Sequence, residues 1–118
     1  VFPDGTVRAD LVLGIEYQGP PGCVHGGIVA LLFDEMLGLA NAAAGSVGMT
    51  ADLRVSYKSP TPLLQPLRFE ARQIRTEGRK IWSEATLHAG DTLCASTEGL
   101  FIEPRGIRDA DRDKPIEG

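Results

Sequence analysis

The residues with chemistry to offer gather early in the chain. His25, Gly26 and Gly27 run into an apolar segment that carries two adjacent acids, Asp34 and Glu35. At a helix start the first N–H groups lack intrahelical acceptors, and the macrodipole adds partial positive charge. Glycines there let a ligand come close to the backbone. Such a place can hold an oxygen that turns negative during a reaction, and one donor of that kind is worth about 3 kcal/mol of barrier. The same glycines also suit a plain loop-to-helix turn, and both readings fit the residues. Asp34 has Ala30, Leu31, Leu37 and Gly38 at i−4, i−3, i+3 and i+4. An unpaired carboxylate in that setting is costly to bury, so it needs a polar partner or a cavity with water. Bonded to a strand or a second subunit, it is structural. Beside water it is a general base, or it attacks as a nucleophile. Glu35, facing about 100° away on a helix, is the rival acid. His25 offers a base, an orienting hydrogen bond or a purely structural ring.

These groups need elements to position them. The period of two over residues 7–17 predicts a half-buried strand with Val7, Ala9, Leu11, Leu13, Ile15 and Tyr17 on one face. Pro20 and Pro21 then stiffen a loop. From Gly27 to about Ala44 the sequence predicts a helix that is apolar on nearly every face, hence buried. The remainder is strand-like. Met49, Ala51, Leu53, Val55 and Tyr57 would share one face, with Thr50, Asp52, Arg54, Ser56 and Lys58 on the other. Three further alternating runs follow, with turns at Gly78 and Gly90, as an antiparallel meander. The pattern predicts an α+β domain over residues 1–103, a five- to six-stranded antiparallel sheet wrapped around one long central helix. Residues 104–118 read as a charged, flexible tail. A bare sheet face and free strand edges predict a homodimer or homotetramer.

Composition narrows the classes. A chain of 118 residues suggests one domain. No uninterrupted apolar run reaches the roughly 18 residues of a membrane span, and no basic segment followed by an apolar one opens the sequence as a secretory signal would. Net charge −4 argues against general nucleic-acid binding. Cys23 and Cys94 lack CxxC spacing and read as free thiols in a reducing compartment, which points to a cytoplasmic protein. With only His25 and His88 besides, no metal site is expected.

The element order, with "HGG" at 25–27 and an Asp seven residues after the second glycine, resembles the hotdog-fold acyl-CoA thioesterases. "MTADLRVSYKSPTPL" and "EGRKIW" are similar to the phenylacetate-pathway and human thioesterase-superfamily branch, and the likeness covers about residues 14–102. The resemblance implies that Gly26 and Gly27 polarise a thioester carbonyl and that Asp34 is the catalytic acid. It also implies that Thr50 supplies the hydroxyl that positions water; the His25 ring suits a bond to the loop or to the thioester. Ser56, Lys58, Arg79 and Lys80 match positions that contact coenzyme A, and the three cations suit phosphates by charge. Met49, with Leu37 and Leu63, would shape the acyl pocket. No cofactor is implied. One departure stands out: several relatives carry an Asn six residues before the histidine, where this chain has Gly19.

A distance adds to this. Gly26 and Asp34 lie eight residues apart, about 12 Å of helix rise, whereas a carbonyl and its nucleophile must approach within about 3 Å. Two helices packed across a twofold axis would bring Asp34 of one chain to Gly26 of the other, which predicts two shared sites per dimer. Two rival readings remain at this level. One is a non-catalytic acyl-CoA-binding hotdog protein, which would lack the acid at position 34. The other is a hotdog enoyl-CoA hydratase or dehydratase, which carries a different helix motif.

Overall fold

A computed structural model describes residues 1–105. Its elements run β1 (Val7–Val12), a short 3-10 helix (Ile15–Tyr17), α1 (Gly26–Ala43), β2 (Met49–Tyr57), β3 (Pro66–Glu77), β4 (Lys80–Ala89) and β5 (Thr92–Ile102). The strands form one five-stranded sheet in the order β1-β3-β4-β5-β2, antiparallel throughout. Strands β3 to β5 are the expected meander, with Gly78 and Gly90 at positive φ in its turns. Strand β2 does not join a hairpin with β3. It crosses to the far edge and pairs with β5. Helix α1 packs against all five strands, chiefly β3 and β4. The expected α+β architecture, one long helix held by a five-stranded antiparallel sheet, is the one observed.

The core lies between α1 and one sheet face. Val29, Phe33 and Leu37 meet Leu67, Phe69, Ile81, Leu87 and Phe101, and Phe33 and Phe69 pack edge to face at 5.5 Å. The single chain covers only part of the helix. Leu31 and Leu39 are each 55% exposed, so the all-round burial expected of α1 is not met within one protomer. By length and mean hydropathy of 1.3, α1 matches a membrane span. Its packing on the sheet identifies it instead as a core helix.

Two alternation patterns fail locally. The strand expected over 7–17 stops at Val12, and beyond the extended Gly14 the chain forms the 3-10 helix, with Ile15 67% exposed. In β2 a bulge between Thr50 and Asp52 breaks the two-residue period before Leu53; of the foreseen apolar face only Leu53 and Val55 are partly buried, and Met49, Ala51 and Tyr57 are exposed. The tail expected over 104–118 falls, from residue 106 onward, outside the described residues. Glu103, at the expected end of the domain, is buried, and its backbone N–H donates to Arg79 O.

Candidate active site

The loop before α1 sets the helix start. Gly19 N–H donates to Cys23 O, Val24 N–H to Thr61 O, and His25 N–H to Tyr17 O. His25 is then the N-cap, and its Nδ1 accepts from Gly27 N–H at 2.9 Å. An imidazole thus does the work usually done by Ser, Thr or Asp oxygen. This bond requires the Nδ1 lone pair, so the neutral ring carries its proton on Nε2. Of the two glycine donors foreseen as anion holders, Gly27 is therefore occupied. Gly26 N–H, the first amide of the helix, meets no acceptor among the described residues. The pair divides: Gly26 is the available donor and Gly27 belongs to the cap.

Gly19 has a geometric reason to be glycine. A Cβ there would stand 2.8 Å from His25 Cα and 3.3 Å from His25 N, so the Asn of the resembling proteins has no room in this loop. Gly19→Asn is expected to destabilise the chain by about 1–3 kcal/mol through this overlap and to disturb the helix start. A melting temperature equal to that of the unmodified chain would contradict it.

Asp34 lies in the middle of α1, partly buried, and its Oδ1 accepts from Thr50 Oγ1 at 2.7 Å. Thr50 stands near the start of β2, which runs antiparallel to α1. At the other end of β2, Tyr57 Oη donates to Gly26 O at 2.7 Å. One strand therefore touches both chemical positions of the helix. A cavity of about 410 Å³ opens beside the helix start, lined in part by Cys23, Gly26, Val29, Tyr57, Lys58 and Ser59. The larger cavity, about 500 Å³, lies on the opposite sheet face among Glu70, Arg72, Glu84 and Glu98, away from both glycines and Asp34.

The structure brings some of the foreseen residues together and separates others. His25, Gly26, Gly27 and Lys58 share the helix-start end, and Asp34 pairs with Thr50. Ser56 points outward opposite Ser96. Lys80 stands level with Ile102 and Met49 at the far end of β2, so the Arg79-Lys80 turn and Lys58 do not converge within one chain. Leu37 and Leu63 are buried in the core, and Met49 is 69% exposed. None of these three lines the cavity at Gly26. Cys23 and Cys94 are free thiols, Cys23 partly buried at the cavity and Cys94 buried. Tyr57 was missed, because the alternation of β2 assigned it to an apolar face. Its hydroxyl is the available signal, a donor at the strand end within reach of the helix start.

Residues 21–96 match the family model described as the thioesterase superfamily. The chain belongs to this superfamily. Among its relatives there, acyl-coenzyme A thioesterase THEM4 of Rattus norvegicus is 37% identical over 105 residues, covering 87% of this chain and 43% of that protein. The chain thus spans less than half the length of this curated relative. The crystal structure of another thioesterase superfamily protein is 48% identical, with a TM-score of 0.84 over 86% of this chain and 53% of that one. A Streptococcus mutans protein crystallised with acetyl CoA shares the fold at 18% identity, with a TM-score of 0.80 over 85% of this chain and 82% of its own.

Proposed function

We propose that this domain hydrolyses acyl-CoA thioesters to a free acid and coenzyme A. The observation that carries the reading is the 2.7 Å bond from Thr50 Oγ1 to Asp34 Oδ1. It gives a half-buried carboxylate a fixed orientation through one oxygen and leaves the other for water or the thioester carbon. Gly26 N–H, free at the positive end of α1, takes the carbonyl oxygen as it becomes negative. Water attacks the carbonyl carbon with Asp34 accepting its proton, or Asp34 attacks first and water releases the acyl group. In either case the C–S bond breaks and coenzyme A leaves as the thiol. The 37% identity to a named acyl-coenzyme A thioesterase supports this substrate class.

The site is completed by a second copy, in a dimer or tetramer. Gly26 and Asp34 of one chain stand about 12 Å apart along α1. The outer edge of β2 has no strand partner among the described residues, and a free edge invites pairing. Leu31, Leu39 and Met49, exposed on α1 and β2, supply apolar area for the same contact. Antiparallel pairing of two β2 edges about a twofold axis reverses the strand. The Thr50–Asp34 end of one chain then faces the Tyr57–Lys58 end of the other. The same reversal brings Arg79 and Lys80 of one chain toward Lys58 of its partner, three cations for the phosphates of coenzyme A. The protein acts in the cytoplasm, where acyl-CoA is available and its two thiols stay reduced.

Thiol release from a panel of acyl-CoAs of different chain length and aromatic character tests the reading. Release from at least one, with a free acid as the second product, is the expected result. Binding without release would leave an acyl-CoA carrier, and water addition to an enoyl-CoA without thiol release would make it a hydratase.

A further inference from the structure

Helix α1 opens on two consecutive glycines, the residues with the freest backbone. A donor used to stabilise a developing charge must nevertheless be held in place before the reaction, since its worth depends on preorganisation. The peptide unit between Gly26 and Gly27 is held on both of its polar groups. Its N–H donates to His25 Nδ1 at 2.9 Å, and its C=O accepts from Tyr57 Oη at 2.7 Å. The unit before it is held through His25 O, which accepts from Ile28 N–H at 3.0 Å and Val29 N–H at 3.2 Å. Both peptide planes flanking the Gly26 Cα are therefore held, and the Gly26 N–H, which lies in the first of them, keeps one direction. The Tyr57 ring also covers the glycine, with its Oη, Cε1 and Cζ 3.5–3.6 Å from where a Cβ on Gly26 would sit.

We infer that Tyr57 is a positioning residue for the Gly26 donor: the Tyr57 hydroxyl and the His25 imidazole clamp one peptide from its two sides and aim the adjacent free N–H into the cavity. The inference rests on the thioesterase reading above. Tyr57 is 55% exposed on an edge strand, so its hydroxyl contributes little to global stability. Its contribution is to orientation. Strand β2 thereby sets one half of each shared site, orienting Asp34 through Thr50 and Gly26 through Tyr57.

Tyr57→Phe keeps the ring over Gly26 and removes only the hydroxyl. In the full chain, kcat for the acyl-CoA that is turned over best should fall about tenfold, with KM within about twofold and the melting temperature unchanged. An unchanged kcat, or a loss confined to KM, overturns the clamp. A second readout is independent of turnover. A coenzyme A analogue in which a methylene replaces the thioester sulfur carries a ketone at the reacting position. Its infrared carbonyl stretch should shift to lower frequency on binding the unmodified chain and shift less on binding Tyr57→Phe. Equal shifts in the two proteins overturn the clamp. Failure of the unmodified chain to release thiol defeats the thioesterase reading instead, while the ketone shift still reads the clamp.

Discussion

Asp34→Asn is expected to lower kcat for thiol release by about 10²–10⁴-fold, with little change in melting temperature. The substitution conserves shape. The amide oxygen can still accept from Thr50 Oγ1, now at 2.7 Å from Asp34 Oδ1, so the link between α1 and β2 survives. Proton acceptance and nucleophilic attack do not, because an amide offers neither a basic oxygen nor a leaving carboxylate. Partial burial adds weight, as a carboxylate shielded from bulk water acts on its neighbours more strongly than an exposed one. The measurement is steady-state thiol release alongside thermal unfolding. Turnover at the unmodified rate would remove Asp34 from the mechanism and leave the Thr50 bond as a structural tie.

Gly26→Pro should be almost as damaging, by a different route. Proline is favoured at the first position of a helix, where the N–H it lacks has no helical acceptor. The preceding residue, His25, already has φ −59° and ψ 133°, the extended backbone that a following proline requires. A Cβ on Gly26 meets Tyr57 only at ordinary contact distance. The substitution therefore removes one N–H and leaves the fold. The expected loss is about 10²–10³-fold in kcat, whereas Gly26→Ala, which keeps the N–H, should remain near the unmodified rate. A Gly26→Pro protein of full activity would show that no charge develops at this amide. The two inactive variants together test whether sites are shared. Mixed at random, Asp34→Asn and Gly26→Pro chains form heterodimers in about half of the dimers, each with one site built from two intact halves, so about a quarter of full activity should return. If each site lies within one chain, none returns.

The path from residues to site was legible where chemistry and periodicity are local. The helix beginning at the Gly-Gly pair, the meander turns at Gly78 and Gly90 and the isolated mid-helix carboxylate all follow from neighbours within a few positions. A polar partner for Asp34 was foreseeable because a half-buried carboxylate must find a donor; the Thr50 hydroxyl in particular was implied only by the family resemblance. Alternation over-reads the strand of 7–17, since it continues in letters through Ile15–Tyr17, where the backbone forms a 3-10 helix. The bulge after Thr50 was invisible for the same reason: it changes which face a residue meets without changing the residue.

The sequence by itself determined the class of fold and the need of Asp34 for a polar partner, because burial of an apolar helix and the cost of a lone carboxylate depend on residue type and spacing; the choice of Asp34 as the acid rests on the family resemblance. Only the tertiary structure decided which glycine is the free donor, since that turned on the His25 ring claiming the other. It also decided that β2 crosses to the far edge of the sheet. Strand order is set by which faces pack together across long stretches of chain, and from that crossing come the contacts that bring Thr50 to Asp34 and Tyr57 to Gly26.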